Sequence, residues 1–265
     1  AQVSFTNLIR VYLMNIKFKT PELAEFYVNN RRTWSDFYDS ERWMFDKVSE
    51  EGGSYERVLD VGCAAGGLGL ALAERFSLGS YVGIDINPQV INAAKAEQDT
   101  FPVPAEFICG DISEIAESQR ERFTLVSSLG CADFNVDPAG IIRSCWECLT
   151  PGGDFVLSLR LTPEASVNKI EDSFQYIYFG PGEASSDQEK ANYVVFNVHD
   201  AFSLLRSLSP ETVYGFGYWG APSATSVTPY KKVVFAVFAL RKPKDEVSEA
   251  QVELRLPLDL FSGSA

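Results

Sequence analysis

The segment Val58-Leu59-Asp60-Val61-Gly62-Cys63-Ala64-Ala65-Gly66-Gly67 constrains this chain more than any other. It reads as a strand that turns at once into a helix running through Arg75. Such a turn needs glycine for two reasons: dihedrals that side chains resist, and close approach of main chain to a ligand. The helix start beyond it offers N–H groups with no intrahelical partner. Alone, the turn marks many nucleotide folds and does not choose among them.

From Arg57 onward, short apolar runs alternate with helix-like stretches, the pattern of an α/β protein with a largely parallel sheet. Strands are expected at 57–61, 81–85, 105–109, 123–128 and 154–159. Helices are expected at 89–98, about 138–149 and about 200–208. Pro151-Gly152-Gly153 reads as a turn before the fifth strand. The regular alternation stops over 162–195, read as an insertion with a mobile tip at Gly180-Pro181-Gly182 and Ser185-Ser186. Strands over 212–219 and 231–240 then close the sheet as a hairpin-like pair. Residues 21–50 look helical and are rich in aromatics and arginine. Val252, Leu254, Leu256, Leu258 and Leu260 alternate with polar residues or proline, the period of a strand, which Pro257 confines to an edge.

Two further carboxylates fall at strand ends. Asp85 stands 18 residues after Gly67, where an acidic side chain can accept from both hydroxyls of a ribose. Asp111 closes the third strand, where it can accept from an adenine amine or cap the helix begun at Ile112. Ligands of open α/β sheets bind across the carboxyl ends of the strands, so these sites converge.

With Gly83-Ile84-Asp85, Gly110-Asp111 and Leu149-Thr150-Pro151-Gly152-Gly153 in this order, the chain resembles the class I S-adenosylmethionine-dependent methyltransferases over residues 56 to about 160. The resemblance implies a Rossmann-like seven-stranded, mostly parallel sheet with helices on both faces and an antiparallel last strand. It implies S-adenosyl-L-methionine as cofactor and S-adenosyl-L-homocysteine as product. Asp60 would lie near the methionine end, Asp85 at the ribose and Asp111 at the adenine. Gly62, Cys63, Ala64, Gly66, Ile86, Ile112 and Ser128 would line the cofactor. One departure stands out: Ala64 occupies the middle glycine of the family's loop. An NAD-dependent oxidoreductase is the remote alternative for the same residues, its loop usually being GxGxxG.

Methyl transfer from a sulfonium needs a held nucleophile and exclusion of water more than it needs a base. In the loop after the fourth strand, Asp133 is the first candidate for a base or substrate anchor, against a plain loop carboxylate. His199 is the second, against a capping role. The N-terminal helices are expected to form a lid, and the resemblance implies that an arginine of such a segment, here Arg31, Arg32 or Arg42, pairs with the methionine carboxylate. Phe174, Tyr176, Tyr178 and Phe179 can supply a second pocket wall.

Lysine and arginine total 23 and aspartate and glutamate 36, a net charge of −13. That argues against nucleic acid and anionic membranes as partners. The longest clean apolar run, Val233 to Leu240, is far short of the roughly 20 residues of a spanning helix. The opening AQVSFTNLIR lacks a signal-peptide pattern, and five scattered cysteines suit reduced thiols, so a cytoplasmic location is expected. Cys145 and Cys148 have metal-like spacing but fall in a helix without a second pair, and no metal is expected.

The expected organisation is an N-terminal helical lid over 1–55, the S-adenosylmethionine-binding domain over 56–242 with the 162–195 insertion as a pocket lid, and a C-terminal extension over 243–265. The expected function is methyl transfer to an oxygen or nitrogen of a small molecule. A catalytically silent S-adenosylmethionine-binding protein and a methyltransferase of a macromolecule are the alternatives. A homodimer through the N- or C-terminal extension is a possible assembly.

Overall fold

The computed structural model of the chain describes residues 20–178, 187–246 and 249–262. Its scaffold is the strand–helix alternation expected. β1 (Arg57–Val61) leads to α3 (Gly67–Arg75), β2 (Ser80–Asp85) to α4 (Pro88–Ala96), and β3 (Ala105–Cys109) to the short α5 (Ile112–Ile115). β4 (Phe123–Ser128) leads to α6 (Pro138–Cys148), then β5 (Leu149–Thr162) follows. Ahead of them lie α1 (Pro21–Asn29) and α2 (Asp39–Glu50).

Asparagine or aspartate caps four of these starts, because a short side-chain acceptor satisfies an N–H that the helix cannot. Asn87 accepts from the Gln89 N–H at 2.8 Å and Asp137 from the Gly140 N–H at 2.9 Å, each with proline following. Asp111 caps α5, and Asn197 caps α7 (Val198–Arg206).

After α7 come β9 (Thr212–Gly220), β11 (Val233–Arg241) and β12 (Gln251–Arg255). The sheet order is β12-β9-β11-β5-β4-β1-β2-β3, with β11 antiparallel to both neighbours. The seven strands from β9 to β3 are those expected, and β12 adds an eighth, parallel to β9. β1 lies between β2 and β4, so the chain reverses its winding there and a crevice opens at the strand ends.

Two apolar layers cover the sheet. Met44, Phe45, Leu72 and Ile91 of α2, α3 and α4 pack on one face. Ile142, Cys145, Cys148 and Leu205 of α6 and α7 pack on the other. Cys145 and Cys148 are thus buried core thiols.

The structure shifts three boundaries. Pro151-Gly152-Gly153 is a bulge inside β5 rather than a turn before it: the pairing jumps from Phe123–Leu149 to Leu125–Asp154, and Gly152 sits at φ +81°. The C-terminal strand ends at Arg255, because Pro257 leads into a 3-10 turn over Leu258–Phe261. The insertion builds a small sheet from β6 (Phe174–Tyr176), β7 (Lys190–Asn192) and β10 (Ser226–Val227), and β8 (Phe196–Asn197) pairs with the end of β5. Its expected tip, with Phe179, Gly180-Pro181-Gly182 and Ser185-Ser186, lies outside the described residues, as do 1–19 of the lid. Among the described residues no helix is long and apolar enough to cross a membrane.

Candidate active site

The crevice is built on the glycine turn. Gly62 adopts φ +80°, and its N–H and that of Cys63 both donate to the Ile84 carbonyl, tying the turn to β2. A Cβ at Gly62 would lie 2.6 Å from Cys131 Cβ, so the loop after β4 presses on the turn. At Gly67 a Cβ would lie 2.0 Å from the Arg31 carbonyl oxygen. That glycine therefore lets the N-terminal segment cross the start of α3, a reason the sequence alone does not suggest. Gly66, the N-cap, is also left-handed and no side chain caps α3, which leaves that helix start to a ligand.

Ala64 takes φ +48°, so the position demands the backbone that glycine supplies freely. An L side chain there costs about 1–2 kcal/mol, part of which is recovered in the lower entropy of the unfolded chain. Ala64→Gly is expected to stabilise the protein by about 0.5–1 kcal/mol, read as a melting temperature about 2 °C higher. A lower melting temperature would show that the methyl group packs favourably.

Asp85, at the end of β2, ties the glycine turn to the start of α4. Its Oδ2 accepts the Ala64 N–H at 3.0 Å and its Oδ1 the Asn87 N–H at 2.8 Å. Burial raises its proton affinity, and the N–H groups of Asn87, Ala64 and Ile86 oppose that. A carboxylate has about four acceptor positions, so lone pairs remain for two ribose hydroxyls.

Asp60 is buried beneath the turn. Its Oδ2 accepts the Tyr81 hydroxyl at 2.7 Å and its Oδ1 the Ser127 hydroxyl at 2.8 Å, linking β1 to β2 and β4. Burial pushes its pKa from the ordinary 3.8 up to about 6, against the two hydroxyl bonds. Between roughly pH 4 and 6 the folded state then holds a proton that the unfolded state has released. Stability from this group therefore falls as pH rises through that window, by about 3 kcal/mol in all. Asp60→Asn is expected to flatten that part of the pH dependence. Denaturant melts of both proteins at pH 4.5 and 7.5 that differ by the same amount would refute the assignment.

Asp111 caps α5, its Oδ1 accepting the Ser113 N–H at 2.9 Å and hydroxyl at 2.7 Å. Ile112 is core. Cys63 is buried with its sulfur against Gly83, and Ser128 is buried at the end of β4. Ile86 is half-buried beside Asp85.

Above the crevice, α1 packs on α4. Tyr27 of α1 is held near Arg31, Asp85 and Cys131, and burial raises its proton affinity despite Arg31. Arg31, itself at φ +56°, places Nη2 at 2.9 and 3.0 Å from the Glu41 carboxylate, over the Phe37 ring at 4.4 Å. Its charge reaches Asp60. Arg32 pairs with Glu97.

Three expectations change. Arg42, one of the three arginines expected to compete for the methionine carboxylate, pairs with Asp39 three residues earlier on α2. His199 is exposed in the first turn of α7, which begins two residues earlier than expected; its N–H donates to the cap Asn197. Asp133, expected as a base or substrate anchor, is found ion-paired. It is 3% exposed, its Oδ2 accepts Arg160 Nε at 2.8 Å and its carbonyl accepts Nη2 at 3.2 Å. The Arg160 guanidinium sits in the corner made by Phe134 and Tyr193, at 4.2 and 3.7 Å from the ring centroids, the two rings meeting edge to face.

Tyr27, Tyr81 and Arg160 escaped the sequence reading. Arg160 left a signal in Leu159-Arg160-Leu161, a charge inside an apolar strand that must find a buried partner.

A sequence model of the methyltransferase domain family matches residues 53–209. Among curated proteins, the ubiquinone biosynthesis O-methyltransferase of Pseudomonas entomophila (strain L48) is 32% identical over 124 residues, 46% of this chain and 51% of that protein. The protein of that name from Pseudomonas aeruginosa (strain LESB58) is 30% identical over 152 residues, 54% of this chain and 65% of that one. The chain thus spans about half to two thirds of the length of these relatives. Among solved structures, an S-adenosylmethionine-dependent methyltransferase from Clostridium acetobutylicum ATCC 824 superimposes with a TM-score of 0.53 at 12% identity, covering 90% of this chain and 99% of that one. The N-terminal domain of EvdMO1 with S-adenosylhomocysteine bound gives 0.54 at 14% identity, covering 78% and 82%. At such identities the structures speak for the fold alone. The oxidoreductase alternative falls with the family match, which takes in more than half of the residues and every strand from β1 to β5: the chain belongs to the methyltransferase domain family, within the class I S-adenosylmethionine-dependent methyltransferases.

Proposed function

We propose that this chain methylates an oxygen of a small molecule, using S-adenosylmethionine. The observation that carries the small-molecule reading is the N-terminal segment. Its first described helix, α1, packs on α4, and the Arg31 main chain crosses the start of α3 against Gly67, so the segment occupies space beside the strand ends where a polymer would need an open groove. The relatives named as ubiquinone biosynthesis O-methyltransferases favour oxygen over nitrogen.

The residues present fit the cofactor. The left-handed Gly62–Gly66 turn and the uncapped start of α3 suit its methionine part. Asp85 suits the ribose through its remaining lone pairs, and Asp111 stands at the adenine end of the strand row. Among the described residues the side-chain hydrogen bonds of Arg31 run from Nη2 to Glu41, which leaves Nε and Nη1 for the methionine carboxylate. When bound, S-adenosylmethionine supplies a sulfonium-activated methyl group open to in-line displacement. The chain's part is to orient the acceptor and exclude water. Tyr27 remains protonated at neutral pH and serves as a hydrogen-bond donor. With Asp133 ion-paired and His199 exposed, neither expected base serves the acceptor, and the rate should follow the acceptor's own ionisation. Five unpaired thiols are compatible with cytoplasmic work.

Calorimetry with S-adenosylhomocysteine, followed by turnover of hydroxybenzoates and catechols read as S-adenosylhomocysteine formed, tests this. Binding with turnover of phenols is expected. No binding at millimolar ligand would overturn the cofactor assignment. Binding without turnover of any small acceptor would favour the silent or macromolecular alternatives.

A further inference from the structure

The open side of β12 has a geometry that matches itself. The Gln251 N–H donates to the Glu211 carbonyl at 2.9 Å, and Gln251, Glu253 and Arg255 stand opposite Thr212, Tyr214 and Phe216 of β9. Backbone groups on a strand alternate sides. Residues 251, 253 and 255 therefore turn theirs to β9, and Val252, Leu254 and Leu256 turn theirs outward. Among the described residues no strand pairs with that edge. An open edge of paired-strand length is a template for another strand unless it is covered.

The side chains beside it are not those of a blunted edge. Val252 is 57% exposed, Leu254 37%, Leu258 88% and Phe261 37%, four apolar groups within ten residues of chain. The charges lie on the opposite face of β12: Glu253, bridged to Lys47 at 3.2 Å, and Arg255, over the Trp43 ring at 4.6 Å.

We propose that β12 pairs antiparallel with β12 of a second copy of this chain about a two-fold axis through Leu254, joining the two sheets. A two-fold axis makes like edge strands antiparallel, and the contact is self-complementary. With the axis at Leu254, the outward-turned residues form the hydrogen-bonded pairs: Leu254 with the partner's Leu254, Val252 with the partner's Leu256. Glu253 then stands opposite the partner's Arg255, and Arg255 opposite the partner's Glu253, so the pairs from 252 to 256 are all apolar or of opposite charge. An axis at Glu253 would instead set Glu253 against the partner's Glu253. The inference is independent of the methyl-transfer reading.

Sedimentation equilibrium of the full chain reads the assembly, and engineered cysteines read the register. At about 100 µM the expected species has twice the 29.4 kDa chain mass. Directly opposed hydrogen-bonded residues have Cα atoms about 5.5 Å apart, within disulfide reach. In a background with the exposed Cys109 replaced by serine, Leu254→Cys should form a disulfide-linked dimer on mild oxidation and Val252→Cys should not. Val252→Pro removes an outward N–H while leaving the bonds to β9, and should give a folded monomer by circular dichroism. A monomeric wild type would overturn the proposal. So would a dimer that crosslinks equally at 252 and 254, or at neither.

Discussion

Asp85→Ala is expected to lower affinity for S-adenosylhomocysteine by at least about 100-fold. Two contributions add. Hydrogen bonds from neutral donors to a charged acceptor are worth about 1.5–3 kcal/mol each, and the ribose would lose two. The same carboxylate also holds the Ala64 and Asn87 N–H groups, so its loss frees the glycine turn from the start of α4. Asp85→Asn separates the two. Its amide oxygen can keep one main-chain N–H, so the turn should be largely retained while the charge-assisted ribose bonds are lost. Calorimetry should then show a fall of about tenfold or more with a melting temperature close to wild type. Unchanged affinity in both variants would mean that Asp85 serves only the turn.

How far the crevice could be read in advance depended on whether its parts are local in sequence. The turn and the strand ending in Asp85 are local: each is set by residues acting within a few positions, and each stands where its pattern places it. Asp111 carried two local readings, and capping of α5 is one that the structure displays. The lid was legible as helix but not in its contacts. Whether Arg31, Arg32 or Arg42 reaches the crevice depends on where α2 docks on the sheet, and helical periodicity is silent about that. Arg31 is singled out by its left-handed backbone and by Glu41, ten residues on. β5 was shortened in the reading because a bulge and a turn use the same Pro-Gly-Gly chemistry, and only pairing with β4 tells them apart.

Asp133 shows the same limit most sharply, because its partner lies 27 residues away on another element. Asp133→Ala is expected to destabilise the fold by about 3–5 kcal/mol, since it leaves the Arg160 guanidinium buried without its counter-ion. Phe134 and Tyr193 do not compensate, because ring faces offset only a fraction of a desolvated charge. Arg160→Met alone should cost a comparable amount by stranding the carboxylate. The double replacement Asp133→Asn with Arg160→Met should recover much of the loss, because no net charge then remains buried and a methionine can pack in the corner made by the two rings. Chemical denaturation of wild type, Asp133→Asn, Arg160→Met and the double replacement gives the coupling energy directly. Additive single losses would show that the two side chains act independently. If Asp133 instead served as the base, Asp133→Asn would abolish turnover at unchanged stability. The ion-pair role requires the reverse: a marked stability loss, with turnover of the remaining folded protein close to wild type.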